Sequence, residues 1–325
     1  MRTKIILDLD TGIDDTLALT YALGSPELEL IGVTGTYGNV TVDTGVRNSL
    51  AILELFGYPE VPVYPGITQA RAKESFEVLE ISEFIHGHNG IGEASLPEPT
   101  ASARTESAVE FLVDSVRAYG DELIIVPTGP STTIAAAIEA DPYFAAHARI
   151  IMMGGAVSVP GNVLPWAEAN INQDPEAADL VFRQAQDVTM IGLDVTLQTL
   201  LTTKQTQIWR DLGTVGGHFL ATAADYYIKA YEVTSPHLGG CGLHDPLAVA
   251  VAADPSLVTC LATNLKVDLS GPTRGRTIAD ESRLNSSVKT AQVALEVDQE
   301  RFLEEFMARL STLAAATPAL ERGLN

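Results

Sequence analysis

The residues best suited to chemistry stand within the first fifteen positions, MRTKIILDLDTGIDD. Four aspartates, Asp8, Asp10, Asp14 and Asp15, follow a short apolar run, with Gly12 between the two pairs. Carboxylates this close together repel one another and raise each other's pKa unless a positive charge compensates. A hard cation such as Ca²⁺, which takes ~6–8 oxygen ligands, is the direct compensation. The spacing therefore predicts a cation site on a tight turn.

A simpler function for part of this cluster is helix capping. Asp14 or Asp15 alone is typical of a helix N-terminus, where the carboxylate accepts free backbone N–H groups and suits the helix dipole. A cap needs one carboxylate, however, and it leaves Asp8 and Asp10 at the end of the apolar run unexplained. The whole cluster favours a functional site.

Further polar side chains follow later apolar runs. The carbonyl oxygen of Thr128 is expected to be free, because proline and glycine interrupt the turn Pro127-Thr128-Gly129-Pro130. The other candidates are amides, carboxylates and a histidine, namely Asn39, Asn162, Glu168, Asn170, His244 and Asp245. If the strands are parallel, these groups share one edge of the sheet and can converge on the aspartates.

The elements that must position these residues alternate between strand and helix. Predicted strands are Lys4–Leu9, Leu28–Thr34, Val61–Tyr64, Leu123–Val126, Arg149–Met153 and Val188–Leu193. Predicted helices are Asp14–Leu23, Val42–Phe56, Glu106–Tyr119, one beginning near Ser131 or Thr132, and Pro175–Gln184. Residues 67–104 and 161–174 are expected to be irregular. The alternation predicts an α/β fold with a mainly parallel open sheet, a Rossmann-like core, flanked by helices.

The last third of the chain has a different pattern. Helices are predicted over Thr222–Val233, Pro246–Ala253 and Asp298–Leu313, and strands over Leu265–Leu269 and Val288–Ala294. No linker, repeat or low-complexity segment separates this part from the rest. We therefore expect residues 1–325 to form a single domain, with the active site at the carboxyl ends of the strands.

Composition excludes several classes of partner. The formal net charge is −22, which argues against nucleic acid and against anionic membrane surfaces. The two cysteines, Cys241 and Cys260, form no disulfide framework. There is no signal peptide pattern and no apolar run near the ~20 residues of a membrane span. We expect a cytoplasmic protein.

The residues resemble those of a known family. Asp8-Leu9-Asp10-Thr11-Gly12-Ile13-Asp14-Asp15 is similar to the opening signature of the calcium-dependent nucleoside hydrolases, the inosine–uridine-preferring nucleoside N-ribohydrolases. Later motifs follow in the family's order: Gly38-Asn39, His86-Gly87, Gly129-Pro130, Met153-Gly154-Gly155, Gly161-Asn162, Glu168-Ala169-Asn170, Asp174-Pro175 and His244-Asp245-Pro246. The resemblance covers about residues 4 to 255. It implies a nucleoside-hydrolase-like fold and hydrolysis of the N-glycosidic bond of ribonucleosides, releasing ribose and a nucleobase for salvage.

The resemblance also implies roles for individual residues. Ca²⁺ would be held by Asp10, Asp15, Asp245 and the carbonyl of Thr128, with Asp10 as general base toward a water on that ion. Asp14, Asn39 and Asn170 would hold the ribose 2′- and 3′-hydroxyls, helped by Asp245. Asn162 and Glu168 would bind the 5′-hydroxyl, and Met153 would line the sugar pocket. His244 and His86 would face the leaving base, one of them donating a proton.

The sequence departs from the family pattern at Thr11, at Asn89 and at Ala169, where proline, aspartate and phenylalanine are frequent. The last difference leaves the packing around the base or 5′ group open. Tyr226, Tyr227 and Tyr231 are candidates to cover the base, or core residues. Purine, pyrimidine and broad specificity all stay open. The resemblance further implies a homodimer or homotetramer.

Two other functions fit part of the pattern. A phosphotransferase of the haloacid dehalogenase type also begins with a strand ending in D-x-D, and would use Asp8 as nucleophile with Mg²⁺. It is disfavoured by the residues after Asp10 and by the lack of a convincing later lysine. A non-catalytic Ca²⁺- or nucleoside-binding protein is the third possibility, for which a general base and two histidines would be superfluous.

Overall fold

The computed structural model describes residues 2–320. Its strands, in chain order, are β1 (Thr3–Leu9), β2 (Leu28–Gly35), β3 (Val63–Pro65), β4 (Leu123–Pro127), β5 (Arg149–Met153), β6 (Asp187–Ile191), β7 (Leu200–Leu201), β8 (Cys241–Gly242), β9 (Val258–Thr263), β10 (Leu265–Val267), β11 (Thr277–Ala279) and β12 (Ala291–Val297).

Helices alternate with these strands over most of the chain. They are α1 (Ile13–Leu23), α2 (Val42–Leu55), α3 (Glu80–His86), α4 (Ala108–Tyr119), α5 (Thr132–Ala140), α6 (Pro142–His147), α7 (Ala169–Gln173), α8 (Pro175–Gln184), α9 (Leu193–Thr196), α10 (Thr203–Asp211), α11 (Val215–Thr234), α12 (His244–Ala253) and α13 (Gln299–Ala315). No helix of residues 2–320 is long and apolar enough to cross a membrane.

The main sheet has eight strands in the order β3-β2-β1-β4-β5-β6-β12-β9. All neighbouring pairs are parallel except β12 and β9, which run antiparallel. The chain therefore builds outward from β1 in one direction through β2 and β3, and then returns to add β4 on the other side. In open α/β sheets, such a reversal of strand order leaves a crevice at the carboxyl ends of the two strands.

Both faces of the sheet are covered, as expected for parallel strands with near-continuous apolar runs. Along β1, Ile5, Leu7 and Leu9 pack into the core under α1 and α11–α13, whereas Ile6 packs into the core under α4, α5 and α8. Every residue of α1 is buried. Because α1 packs against β2 and against α11, α12 and α13, its N-terminus is fixed at the carboxyl end of β1.

The predicted α/β class with a mainly parallel sheet is confirmed, and most predicted elements lie within two residues of the observed ones. The prediction that residues 67–104 and 161–174 are irregular is wrong in part, because these segments contain α3 and α7. No side chain caps α3, and α7 is capped by Glu168, a residue type that is uncommon at this position. Neither helix therefore carries the usual signal at its start.

Two further boundaries differ from the prediction. The strand expected to reach Leu193 ends at Ile191, since Gly192 begins a short helix. The helix expected from Thr222 begins seven residues earlier, at Val215. Its interior Gly217 looks unfavourable in isolation, but a Cβ there would overlap with the backbone of α10, so close packing of the two helices requires the glycine.

The C-terminal part completes the main sheet. The predicted strand over Val288–Ala294 begins at Ala291 and forms β12 beside β6. The predicted strand at Leu265–Leu269 is shorter and pairs with β11 in a separate two-stranded sheet. The edge strand β9 was missed. A single domain over residues 1–325 stays a prediction, and its last five residues lie outside the described part of the chain.

Candidate active site

The crevice between β1 and β4 holds the first two candidate residues. Asp8 of β1 pairs with Pro127 of β4, so Asp10 and Thr128 leave the sheet side by side. The Thr128 N–H donates to the carbonyl of Asp8 over 2.9 Å, which extends the ladder to the end of both strands. The reversal of strand order therefore places these two residues at one point, as the parallel arrangement predicted.

Asp15 joins the two strand ends to α1. Its Oδ2 accepts the backbone N–H of Gly12 at 2.8 Å, and its Oδ1 accepts the Thr128 hydroxyl at 2.7 Å. The capping role considered for this residue is therefore present. The same carboxylate also reaches across the crevice to β4, and it is completely buried.

Asn39 links Asp10 to Asp15 from the loop after β2. The Asn39 backbone N–H donates to Asp10 Oδ2 at 2.7 Å, and its side-chain amide donates to Asp10 Oδ1 at 3.2 Å and to Asp15 Oδ2 at 3.3 Å. A Cβ at the preceding Gly38 would overlap with Asp10 Oδ2, so only glycine lets the loop approach this closely.

Three buried carboxylates lie together in this group. Oxygen atoms of Asp14, Asp15 and Asp245 all lie within 4.8 Å of one another. Asp14 Oδ1 and Asp245 Oδ2 are buried and have no hydrogen-bond partner among the described residues. Buried carboxylate oxygens without partners are costly, so this geometry suits a bound cation.

Burial dominates the electrostatics of the cluster. It raises the pKa of Asp8 to about 7, and those of Asp14 and Asp15 to about 6. The pKa values of Asp10 and Asp245 lie well above the usual range, because burial is reinforced by the neighbouring carboxylates. When these carboxyl groups lose their protons, negative charge accumulates in a buried site. A bound divalent cation would offset that charge.

Glu168, Asn170 and Met153 form one connected group beside Thr128. The Asn170 amide donates to the carbonyl of Thr128 at 2.7 Å and to that of Met153 at 3.3 Å. The expectation that the Thr128 carbonyl is free was therefore wrong, because a side chain from α7 reaches it. The Glu168 carboxylate accepts backbone N–H groups of Gly155, Asn170 and Ile171 at 2.9 to 3.1 Å. Burial still raises the pKa of Glu168 above its usual value.

The two candidate histidines are buried and held differently. His86 Nδ1 accepts the backbone N–H of Ile13 at 3.1 Å, which places the ring proton on Nε2. His244 lies between two hydroxyls, with Nδ1 2.7 Å from Thr196 Oγ1 and Nε2 2.6 Å from Tyr231 Oη. Burial lowers the pKa of each histidine to about 4, so both are neutral near pH 7.

Two tyrosines on α11 connect the histidines. The rings of His86 and Tyr227 have centroids 5.4 Å apart, those of Tyr227 and Tyr231 are 4.9 Å apart, and Tyr231 reaches His244. The Tyr227 hydroxyl also donates to Asp14 Oδ2 at 3.3 Å. The sequence left open whether these tyrosines belong to the hydrophobic core or to the site. Their spacing of four residues, which puts both on one face of α11, was the available signal.

Not every predicted site residue joins this group directly. Asn162 is exposed, and its Oδ1 accepts the N–H of Ala169 at 3.0 Å, next to Glu168. Sequence reasoning also missed Thr196 and the backbone of Ile13, which orient the histidines. Thr196 carried no signal, since its contact with His244 crosses 48 residues of sequence.

Comparison with known proteins agrees with this geometry. The profile of the family described as "Inosine-uridine preferring nucleoside hydrolase" matches residues 5–304. The chain is 36% identical to uridine nucleosidase 1 of Arabidopsis thaliana, covering 94% of this chain and 93% of that protein. It is 34% identical to the pyrimidine-specific ribonucleoside hydrolase RihA of Salmonella paratyphi B, covering 97% and 100% respectively.

Solved structures show the same likeness. The purine-preferring ribonucleoside hydrolase from Gardnerella vaginalis superposes with a TM-score of 0.95 at 63% identity, covering 96% of this chain and 99% of that one. A plant nucleoside hydrolase superposes with a TM-score of 0.89 at 34% identity, covering 96% and 99%. This chain, an enzyme acting on ribonucleosides, belongs to the inosine-uridine preferring nucleoside hydrolase family.

Proposed function

We propose that the enzyme hydrolyses the N-glycosidic bond of ribonucleosides in a Ca²⁺-dependent reaction, releasing ribose and the free nucleobase. The observation that carries this proposal is the group of buried carboxylates Asp14, Asp15 and Asp245, which have oxygens within 4.8 Å of one another. Among residues 2–320, Asp14 Oδ1 and Asp245 Oδ2 have no hydrogen-bond partner. The donors are all hard oxygen atoms, which Ca²⁺ and Mg²⁺ prefer.

The residues present fit the proposed cation. Asp10, Asp15, Asp245 and the carbonyl of Thr128 would hold it. That carbonyl already accepts one hydrogen bond from Asn170, and its second lone pair is available to a ligand. A bound Ca²⁺ would supply positive charge that acidifies and orients the attacking water.

Asp10 is the proposed general base. Two hydrogen bonds from Asn39 fix both of its oxygens, so the carboxylate cannot turn away from the crevice. Its raised pKa makes the ionised form a stronger base than an exposed aspartate. Both properties suit removal of a proton from a water that attacks the anomeric carbon.

The remaining polar groups would hold the sugar. We assign Asp14, Asn39 and Asn170 to the 2′- and 3′-hydroxyls, with help from Asp245. Glu168 and Asn162 are assigned to the 5′-hydroxyl, and Met153 to the wall of the pocket. Glycosidic cleavage passes through an oxocarbenium-like sugar, and surrounding carboxylates favour that developing positive charge.

His244 or His86 would assist departure of the base. Both rings are neutral. The Nε2–H of His86 can donate to a nitrogen or oxygen of the base as negative charge develops there, whereas both ring nitrogens of His244 contact hydroxyls, so His244 would act through Tyr231. The Ile13 N–H fixes the donor of His86 as Nε2. For His244, the hydroxyls of Thr196 and Tyr231 complete a short relay along which a proton can move.

The phosphotransferase alternative requires Asp8 as nucleophile. Asp8 lies within β1, between Thr34 of β2 and Pro127 of β4, and its Oδ1 accepts the Thr34 hydroxyl at 2.5 Å. We therefore assign Asp8 to support of the turn. A binding protein without activity is disfavoured because the proposed general base and the two histidines would be superfluous for binding alone.

We propose that purine nucleosides are the preferred substrates. The purine-preferring Gardnerella enzyme is 63% identical over 96% of this chain, against 36% for uridine nucleosidase 1 and 34% for the pyrimidine-specific hydrolase RihA. Comparing kcat/KM for inosine, guanosine and adenosine with uridine and cytidine tests this. A higher value for uridine than for every purine nucleoside would contradict the proposal.

The partners and the location of the enzyme are further parts of the proposal. We propose a homodimer or homotetramer in the cytoplasm, with a small-molecule ribonucleoside rather than nucleic acid or membrane as partner. The net charge of −22 opposes binding to phosphate polymers, and both cysteines are free thiols. Light scattering coupled to size-exclusion chromatography measures the mass, and a monomer would contradict the oligomer.

The reaction itself is tested by incubating the purified enzyme with inosine, uridine and cytidine, with and without a chelator. We expect reducing sugar and free base from at least one nucleoside, and loss of both with chelator. Cleavage of p-nitrophenyl phosphate with no ribose released from any nucleoside would overturn the proposal.

A further inference from the structure

The C-terminal loop between β10 and β11 contacts the segment that carries Glu168. The Trp166 indole N–H donates to the carbonyl of Arg274 at 3.1 Å. The Arg274 guanidinium binds the Glu176 carboxylate with two parallel hydrogen bonds, 2.8 and 2.9 Å long. One residue of the loop therefore makes contacts on both sides of the proposed sugar-binding residues.

The next residue, Gly275, closes the space between these two contacts. A Cβ there would lie 3.1 Å from the Cβ of Ala167 and 3.2 Å from Oδ1 of Asn172, and its φ is +90°. Glycine is the residue that adopts this backbone conformation at such a close approach. The loop backbone consequently packs directly on the segment from Trp166 to Glu176.

The loop is itself well anchored. The N–H of Val267 in β10 donates to Asp179 of α8 at 2.9 Å, and the Thr273 hydroxyl donates to Asp268 at 2.9 Å. Arg274 also donates to the carbonyl of Leu269 at 2.9 Å. A fixed loop of this kind can act as a clamp on the neighbouring segment, because its contacts do not move independently.

We propose that Arg274 is a positioning residue for the 5′ end of the sugar, acting through Glu168. The Arg274 clamp, defined as Trp166–Arg274–Glu176, holds both ends of the segment in which Glu168 caps α7. Displacement of that cap by as little as ~1 Å is enough to weaken binding and turnover. This inference rests on the proposed assignment of Glu168 to the 5′-hydroxyl.

The test uses variants that remove each contact while preserving the fold. Arg274→Gln removes the guanidinium pair, and Trp166→Phe removes the indole N–H but keeps an aromatic ring. Arg117→Gln is the matched control, because Arg117 makes a similar bidentate pair with Asp141, at 3.0 and 2.9 Å, at the start of α6. Glu168→Gln changes the proposed 5′-hydroxyl ligand itself, and its kinetics show the effect of losing that contact directly.

Each variant is assayed with a ribonucleoside and its 5′-deoxy analogue, inosine with 5′-deoxyinosine or uridine with 5′-deoxyuridine. We expect Arg274→Gln and Trp166→Phe to lower kcat/KM by about tenfold for the ribonucleoside and by less than about twofold for the analogue. Arg117→Gln should change neither. Combined with Glu168→Gln, Arg274→Gln should add little further loss.

Two results would overturn the inference while leaving the sugar assignment intact. One is that Glu168→Gln discriminates between the two substrates whereas Arg274→Gln and Trp166→Phe behave like the control. The other is an equal loss on both substrates, which indicates a purely structural role. If Glu168→Gln itself does not discriminate between the two substrates, the assignment of Glu168 to the 5′-hydroxyl is wrong. A lower kcat/KM in Arg274→Gln would then not arise through Glu168.

Discussion

The hydroxyl of Tyr227 donates to Oδ2 of Asp14 over 3.3 Å, joining residues that are 213 positions apart in the chain. Asp14 comes from the first turn of α1, and Tyr227 from the middle of α11. Asp14 Oδ1, the other carboxylate oxygen, is buried and has no hydrogen-bond partner among residues 2–320. Tyr227 therefore leaves one oxygen of Asp14 available and fixes its direction.

Tyr227→Phe should weaken nucleoside binding. Hydrogen bonds to charged groups contribute ~1.5–3 kcal/mol, so we expect KM to rise by about tenfold or more, with a smaller change in kcat. Steady-state kinetics with the preferred nucleoside measures this. Tyr58→Phe is the matched control, since its hydroxyl donates to the carbonyl of Leu23 over the same 3.3 Å away from the site. Equal KM values for both variants would contradict the assignment of Asp14 to the sugar.

Asp10→Asn should lower kcat by ~10²–10⁴-fold, the usual contribution of a general base. Asparagine keeps the size of the side chain, and it removes a buried charge that neighbouring carboxylates oppose. The amide also replaces one of the two oxygens that accept from Asn39, so we expect the fold to survive with a Tm in chelator close to that of the parent enzyme. Near-normal turnover in a folded variant would remove Asp10 as the base.

Gly38→Ala should impair turnover by moving Asp10. A Cβ at position 38 overlaps with the carboxylate, which then loses its alignment with Asn39, and we expect kcat to fall by at least ~10-fold. Gly45→Ala, seven residues later in α2, is the control. A Cβ there would have no neighbour closer than 3.5 Å, and alanine favours the helix. The same loss in both variants would indicate general disruption.

Removal of the cation should abolish activity and lower stability together. A ligand present at ~100 times its Kd stabilises the folded state by ~2.7 kcal/mol, so excess Ca²⁺ should raise Tm after chelation. Calorimetric titration should show one Ca²⁺ bound per chain, and Asp245→Asn should weaken that binding. Full activity in a strong chelator, with no bound metal by elemental analysis, would refute the dependence.

The metal-free enzyme should become more stable as the pH falls from 8 to 6.5. Folding raises the pKa of Asp8 to about 7 and those of Asp14 and Asp15 to about 6, from a value of 3.8 in the unfolded chain. The folded state therefore binds more protons than the unfolded state, and the free energy of unfolding decreases with rising pH in this window.

Below pH 6.5 the histidines act in the opposite direction. His86 and His244 have a pKa of about 4 when folded, so the unfolded chain takes up their protons first. Their contribution to stability is therefore lost as pH falls toward 4, which opposes the continuing gain from the carboxylates. We expect Tm in chelator to be higher at pH 6.5 than at pH 8 by about 2 °C or more. Saturating Ca²⁺ should remove or reverse the difference, because it favours the ionised carboxylates.

Residues adjacent in sequence were the ones whose place could be predicted. The apolar run of β1, the turn at Gly12 and the start of α1 are local, so Asp10 and Asp15 follow directly from the pattern. The parallel alternation also predicted that Thr128 and Asp10 share one edge of the sheet, where the carboxyl ends of parallel strands meet, and the reversal of strand order makes them neighbours. The capping carboxylate of Asp15 then proved to serve both the helix and the crevice.

Contacts between distant elements could not be predicted in the same way. The orientation of His244 depends on Thr196 of α9, and that of His86 on the N–H of Ile13, a backbone group that every sequence offers. The short helix α3 has no side-chain cap at its start, so its position depends on packing against α11. Such features are set by tertiary contacts rather than by local preference.

The position of β12 between β6 and β9 has a consequence for biosynthesis. Strand β6 is complete at Ile191, but its partner β12 begins only at Ala291, roughly 100 residues later. At ~5–20 residues per second, a ribosome exposes the unpaired edge of β6 for several seconds. An unpaired edge is a template for intermolecular pairing. The nascent chain thus passes through an interval of aggregation risk that ends only when its C-terminal strand emerges.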